Sequence, residues 1–242
     1  MDARHIGSHV VAWGGAALFV ASLLYFLFSY SITFGEIVDG GFDAGAFGIN
    51  VGLFTVFALH HSVFARDRVR DVVRSVVSSQ LERSVYVWVA SLMLIATCYF
   101  WQMVPGVLWQ VPRPWSWALV VVQAWAAWLT VRSAAIIDAF DLAGVRQVLA
   151  PTTQIQAPKS QPMEFKTDGP YGWVRHPIYV GWILLVFSVG TMTMTRFAFA
   201  AISTAYLLIA IPLEENTLRA NAGRAYEDYM RRVPWRLIPR VY

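Results

Sequence analysis

A chain of 242 residues that is 57% hydrophobic and only 14% charged, with a mean hydropathy of +0.50, lies far from the roughly 25% charge of soluble domains; it reads as a polytopic membrane protein. The net charge of +4 and pI near 9.4 would suggest nucleic-acid binding in a soluble chain, but here the arginines cluster beside apolar runs, where they set orientation and meet anionic lipid, so nucleic acid is not an expected partner. The single cysteine, Cys98, lies inside an apolar run, which excludes an intramolecular disulfide and a cysteine metal cluster.

The start Met1-Asp2-Ala3-Arg4 is short, and the first apolar run is too long and lacks a small-residue cleavage site, so a retained helix is expected from about Val10 to Phe34. The next connection carries Glu36, Asp39 and Asp43 without a basic residue. A second span is expected over about Ala44 to Phe64. It breaks at His60-His61-Ser62 into a basic connection from Arg66 to Glu82-Arg83. A third runs from about Val85 to Val104, and prolines and Gly106 punctuate the nearly uncharged segment behind it. A fourth runs from about Trp115 to Ile137, followed by Asp138, Asp141, Arg146 and Gln147. Ala150 to Met163, rich in Pro, Gln, Thr and Ser, reads as an irregular surface loop. A fifth span is expected over about Ile178 to Met194 and a sixth over about Phe197 to Leu213, before a polar helical tail through Tyr226 and Tyr229. The expected fold is thus an all-α transmembrane bundle of about six spans (five to seven), one membrane domain over 1–242 with a cytosolic C-terminal helical tail.

Six spans put both termini on one side, and that side collects 17 of the 19 basic residues, leaving only Arg113 and Arg196 opposite. By the positive-inside rule both termini are expected in the cytoplasm. Four helix ends then present ionisable groups at one depth: His60-His61, Asp138 with Asp141, Arg175-His176, and Glu214-Glu215. Such groups suit a pocket whose polar ligand enters from the cytosol and whose apolar partner comes from lipid. Bland readings stand beside this one: Arg175 as a topology anchor, Trp173, Tyr179 and Trp182 as interfacial aromatics, the two histidines as interior hydrogen-bonding groups, and the aspartates as helix terminators. Two carboxylates at the end of a helix oppose its dipole, which favours function for Glu214-Glu215. His5 and His9 could chelate, but no third ligand is evident and no metal is expected. Walker loop, dinucleotide fingerprint and nucleophile elbow are all absent from the sequence.

Gly-Pro-Tyr-x-x-Val-Arg-His-Pro-x-Tyr-x-Gly at 169–181, Glu214-Glu215-x-x-Leu218, Gly223-x-x-Tyr226-x-x-Tyr229 and Val233-Pro234 together resemble the membrane methyltransferases typified by isoprenylcysteine carboxyl methyltransferase. His61-Ser62-x-x-Ala65-Arg66, Glu82-Arg83-Ser84-x-Tyr86-Val87, Pro105-Gly106-x-x-Trp109 and Asp138-x-Phe140-Asp141-Leu142-x-Gly144-x-Arg146-Gln147 are similar to its methanethiol S-methyltransferase branch, which lies close to the membrane proteins called NnrU. The resemblance implies S-adenosylmethionine as cofactor, bound by segment 167–240, a small apolar thiol such as methanethiol as acceptor, dimethyl sulfide as product, and a bacterial inner membrane as location. It makes Tyr171, Arg175, His176, Pro177, Tyr179, Gly181, Glu214, Glu215, Tyr226 and Tyr229 candidate cofactor-pocket residues. The alternatives are carboxyl methylation of a lipidated cysteine, a non-catalytic NnrU-like accessory and, disfavoured by the Glu214-Glu215 tail and the short span count, a membrane reductase using a nicotinamide cofactor.

Transfer to sulfur needs little acid–base chemistry beyond removal of the thiol proton. Opposite charges ~4 Å apart are worth about 4 kcal/mol at an effective dielectric near 20, or roughly three pKa units, so a neutral imidazole suffices as acceptor. His61 or His176 is expected in that role, oriented by Asp138 or Asp141. Arg175 and Arg146 suit a methionyl carboxylate, and Glu214 or Glu215 its ammonium or the ribose hydroxyls. Tyr171, Tyr179 and Trp182 could face a sulfonium, and Gly181 would admit the cofactor or a neighbouring helix.

Overall fold

The computed structural model describes residues 3–64, 67–149 and 167–242; the expected loop at 150–163 lies outside them, as do Ala65 and Arg66. By its internal contacts the chain gathers into two compact units. One holds 1–105 and 139–158, the other 106–138 and 159–242. The physical reason is that each gathers around its own helix pair.

The first unit contains α1 (Ala3–Ser31), α2 (Ala44–Phe64), α3 (Asp67–Val76) and α4 (Glu82–Tyr99), joined by two single-turn helices, Ala139–Leu142 and Arg146–Leu149. Gly14 and Gly15 leave α1 without side chains where Trp88 of α4 lies; a Cβ on Gly14 would sit 2.9 Å from that indole. The Trp88 N–H donates to the Val11 carbonyl at 2.9 Å. Phe34 and Trp101 stack at 5.8 Å near the other end of the pair, so α1 and α4 run in the same direction. The reversed helix α2 is fixed at one end by buried Asn50, which trades two 2.8 Å hydrogen bonds with the Gln102 backbone, and at the other by His61 against Tyr86. Buried amides paired in this way satisfy groups that lipid cannot.

The second unit contains strand β1 (Val107–Gln110), α5 (Trp115–Ile137), a 3-10 turn at Gly169–Gly172, then Pro177–Phe187, strand β2 (Thr191–Thr193), Met194–Ala222 and Arg224–Arg232. β1 and β2 form an antiparallel ribbon with Val107 opposite Thr193 and Gln110 opposite Thr191, an element absent from the all-α expectation. Among the described residues four helices are long and apolar enough to cross a membrane: Ile6–Gly35, Ala44–Phe64, Trp115–Ile137 and Met194–Ala222. Glu82–Tyr99 has 18 residues and stops short of Val104. The expected fifth span is corrected: only the 11 residues Pro177–Phe187 are helical, about 16 Å at 1.5 Å per residue.

The rest of that passage is made without α-helix. Gly169 lies against Ile136, Gly181 against Ala126 and Thr130, and Gly190 against Ser116, while Gln123 donates to the Leu185 carbonyl at 3.2 Å. Residues 169–190 therefore follow α5 along nearly its whole length, antiparallel to it. At Ser188 the helix gives way to an extended segment whose backbone pairs with β1: the Val111 N–H donates to the Gly190 carbonyl at 2.7 Å. Met194–Ala222 then returns over 29 residues, about 43 Å, which exceeds a hydrocarbon core of roughly 30 Å. Its N-terminus is capped by Thr193, whose hydroxyl accepts from the Arg196 N–H.

Candidate active site

Glu214 and Glu215 sit twenty residues into the 29-residue helix, after a rise of about 30 Å, where such a helix leaves the hydrocarbon. They are adjacent in sequence and about 100° apart around the helix, so they meet different surroundings. The Glu215 side chain is 1% exposed, the Glu214 side chain 46%.

Three groups enclose the buried carboxylate. Arg175 Nε donates to Glu215 Oε1 at 2.7 Å and Arg236 Nε to Oε2 at 3.1 Å. His176 Nε2 lies 3.3 Å from Oε1. Arg175, itself 4% exposed, spends Nη1 on the carbonyls of Val233 (2.9 Å) and Pro234 (2.6 Å). The backbone repeats the link: Arg175 N–H donates to Trp235 O at 2.9 Å and His176 N–H to Arg236 O at 3.0 Å. Tyr229 closes the other side by donating to the Tyr171 carbonyl at 3.0 Å. Segment 169–176, the end of the long helix and the tail are thus one locked body.

Local sequence explains how the strap reaches this place. Gly169 has φ +58, a left-handed conformation that L side chains rarely adopt. A Cβ on Gly172 would meet the Thr167 carbonyl at 2.6 Å. Pro177 occupies the first helical turn, where its missing N–H costs nothing. Gly223, φ +51, ends the long helix and lets the tail fold back. Tyr226 and Tyr229 are buried with Val233, and burial pushes both phenols above their ordinary pKa.

The expected site residues sit in this geometry as follows. Arg175 and Glu215, expected at a methionyl carboxylate and ammonium, are engaged with each other and with the tail in this geometry. Tyr226 and Tyr229 pack the tail. Gly181 serves a helix contact, since its Cβ would meet Thr130 Oγ1 at 2.2 Å. Glu214 keeps an exposed carboxylate whose Oε2 accepts the Tyr179 hydroxyl at 2.9 Å and lies 3.7 Å from His176 Nδ1. His176 and Tyr179 stack with rings 5.3 Å apart and 12° from parallel. Burial pulls the His176 pKa below its ordinary value, while Glu214 and Glu215 partly offset this. Tyr171 is half-buried, and its phenol is pushed up by burial and by nearby Tyr229 and Glu214. Arg236 is the residue that sequence reasoning overlooked; its signal was a cation in the conspicuous Val-Pro-Trp-Arg segment of the tail.

The remaining candidates divide between the units. His61, Asp141 and Arg146 belong to the first. His61 Nδ1 lies 2.7 Å from the Tyr86 hydroxyl, so a phenol holds this imidazole where an aspartate was expected. Asp141 accepts from Gln147 Nε2 at 2.7 Å, and Arg146 is exposed. Asp138 belongs to the second unit and ends α5 with φ +97, a strained backbone of a kind that clusters at functional sites.

Comparison with known proteins adds an independent line. The profile of the isoprenylcysteine carboxyl methyltransferase (ICMT) family matches residues 150–220. Methanethiol S-methyltransferase 1 of Bradyrhizobium diazoefficiens is 35% identical over 234 residues, covering 92% of this chain and 81% of the relative. The methanethiol S-methyltransferase of Crocosphaera subtropica is 37% identical over 192 residues, 79% of this chain and 74% of the relative. That of Mycobacterium tuberculosis is 35% identical over 236 residues, 89% and 93% respectively. No solved structure matches the chain significantly.

Proposed function

Since the chain belongs to the methanethiol S-methyltransferase family, we propose that it methylates methanethiol to dimethyl sulfide at the expense of S-adenosylmethionine. The observation that carries the cofactor assignment is the unequal state of the acidic pair. Glu215 is neutralised inside the lock by Arg175 and Arg236, so the exposed Glu214 carboxylate is left to face an incoming cation. Beside it the stacked His176 and Tyr179 rings offer π-faces, which attract a cation by about 0.5 to 2 kcal/mol. A ligand carrying an ammonium and a sulfonium fits this donor set. When bound, it would supply an electrophilic methyl group: the thiolate would form a bond to that carbon as the carbon–sulfonium bond breaks in line, leaving a neutral thioether, so that the thiolate and sulfonium charges are lost together.

Glu214 would hold the ammonium, Tyr179 would fix the carboxylate that does so, and Tyr171 would line the polar side. The lock holds these groups in place before the ligand arrives, so binding spends little on ordering them. One of the two histidines would take the thiol proton. Both nitrogens of His176 face carboxylates, at 3.3 and 3.7 Å, and those of His61 lie 2.7 and 3.3 Å from the Tyr86 hydroxyl. Six crossings with both termini in the cytoplasm of a bacterial inner membrane fit the distribution of basic residues and the antiparallel course of 169–190 along α5.

Purified protein incubated with methyl-labelled S-adenosylmethionine and a panel of methanethiol, hydrogen sulfide and prenylcysteine, followed by headspace analysis, tests the reaction. Labelled dimethyl sulfide is expected; label only on prenylcysteine, or on nothing, refutes it. Calorimetry on Glu214→Gln separates binding from turnover. Affinity for S-adenosylmethionine should fall roughly tenfold or more, as for a lost charge-assisted contact, and an unchanged affinity removes Glu214 from the site.

A further inference from the structure

Where α2 ends and α4 begins, the first unit holds a cavity of about 140 Å³ lined by Phe64, Arg70, Val73, Glu82, Arg83 and Tyr86. α2 is long and apolar enough to cross a membrane and stops at Phe64, so the cavity stands at the depth where hydrocarbon gives way to headgroups. Arg70 Nε and Arg74 Nε of α3 each lie 2.6 Å from one oxygen of Glu82. Arg83 is not engaged in this way. Its guanidinium lies over the Tyr86 ring at 5.0 Å, and its buried Nε has no hydrogen-bond partner among the described residues. A buried donor without an acceptor is rare and calls for an explanation. α3 is also inside out. Residues two apart on a helix are about 200° apart around its axis, so with the arginines at 70 and 74 turned toward α4, Val72 and Val76 occupy the opposite face, 66% and 85% exposed. A helix facing water would turn its charges outward and its valines in. Leu59 and Val63, near the end of α2, are exposed and apolar too. An apolar row turned outward beside a membrane-crossing helix is satisfied by acyl chains.

We infer that the cavity and the outward row of α3 together bind one anionic phospholipid, whose phosphate accepts from Arg83 Nε–H and whose acyl chains lie along Val72 and Val76. The lining carries Arg70 and Arg83 against Glu82 alone, a surplus of positive charge. Arg74 adds to that surplus, and Asp71, 3.3 Å from Arg74, offsets the addition. Charge-assisted bonds from a guanidinium are the strong way to hold a phosphate, and basic pockets beside membrane helices recognise lipid head groups by such bonds. The cavity admits a phosphate and not a whole lipid, so the chains must leave it. Val73, on its wall, is about 60° around the helix from Val76, which carries them onto the outward row. The apolar walls, Phe64, Val73 and Tyr86, favour a phosphate attached to a chain over a free one. This lipid site is independent of the reaction proposed above; a protein that methylated no thiol would still carry it.

Native mass spectrometry on the full chain, delipidated in detergent and titrated with phosphatidylglycerol, phosphatidylcholine or inorganic phosphate, tests it. Phosphatidylglycerol should fill one site more tightly than phosphatidylcholine, and Arg83→Gln should weaken it roughly tenfold through the loss of one charge-assisted contact. The double variant Val72→Ser, Val76→Ser alters only exposed side chains and keeps the test open if Arg83→Gln does not fold; it should also weaken phosphatidylglycerol roughly tenfold, through lost apolar area. A phosphatidylglycerol affinity unchanged in either folded variant overturns the site. Equal affinity for phosphatidylcholine overturns it too, because the lipid would then be an unselective coat. Inorganic phosphate that competes at the same concentration as phosphatidylglycerol would make the ligand a soluble anion and overturn the lipid assignment. A two-chain mass that disappears in the double variant would give the outward row to a second copy of the chain, with the same consequence.

Discussion

Replacing Glu215 by glutamine keeps the volume and removes the charge, so the lock loses its centre without gaining a cavity. Arg175, 4% exposed, would then be buried without a counter-charge, while Arg236, 29% exposed, could turn to water. Breaking a buried pair by removing one partner costs about 3–5 kcal/mol. Arg175 keeps its bonds to the Val233 and Pro234 carbonyls, so the lower end, about 3 kcal/mol, is expected. At 1.36 kcal/mol per decade this is a rise of roughly a hundredfold in the population with the tail detached. Trypsin offers the assay, because Arg231, Arg232 and Arg236 lie in the tail. Where reclosing is fast, the rate of cleavage follows the open population. The peptide released from detergent-solubilised protein is quantified by mass spectrometry in wild type, Glu215→Gln and the exposed control Glu214→Gln. A hundredfold faster release in Glu215→Gln alone is expected. Equal rates in Glu215→Gln and Glu214→Gln would mean that the ion pairs do not hold the tail, and the reasoning would fail.

Protonation should loosen the same body. The folded state keeps the His176 pKa below the ordinary 6.5, so the unfolded state binds more protons and stability rises with pH. The His176 contribution is complete above about pH 6.5 and declines as pH falls below it; tail release should stay flat from pH 7.5 to about 6.5 and accelerate from there toward pH 5, and His176→Gln should flatten that slope. Gly144→Ala should lower the thermal midpoint in detergent by an amount equivalent to about 1–3 kcal/mol, because Gly144 has φ +75 and its Cβ would lie 2.8 Å from the Ser84 nitrogen. Gly48→Ala, on a helix with nothing within 4 Å, should hold or raise it. A C-terminal reporter that is active only in the periplasm should stay silent, and activity there would contradict the six-crossing topology.

Apolar runs bounded by charges or prolines proved legible: the spans expected at 44–64 and 115–137 coincide with Ala44–Phe64 and Trp115–Ile137. Residues 178–194 were not, for a physical reason. Hydropathy reports that a segment avoids water but is silent on whether its backbone bonds are satisfied within a helix or across a ribbon. The partner that satisfies Thr191–Thr193 is Val107–Gln110, more than eighty residues upstream, and nothing in either short segment announces the other. Trp109, whose indole N–H reaches the Val189 carbonyl at 3.2 Å, belongs to the same hidden pairing.

The site shows a subtler limit. Its motif at 169–181 and its acidic pair were readable as one neighbourhood, and the structure brings His176 within 3.7 Å of both carboxylates. What sequence could not do was divide the labour between two identical neighbours. A turn of about 100° along the helix sends Glu215 toward Arg175, Arg236 and the returning tail, and Glu214 toward Tyr179 and solvent. That division depends on the tail being present, because Arg236 supplies the second cation and Val233 and Pro234 supply the carbonyls that hold the first. With the tail detached, both carboxylates would meet solvent, and Arg175 would be released to compete for the charge that Glu214 now offers alone. The selectivity for a cation proposed above would therefore rest on contacts between Arg175 and carbonyls 58 and 59 positions away, which is why it would follow from the fold and not from the motif.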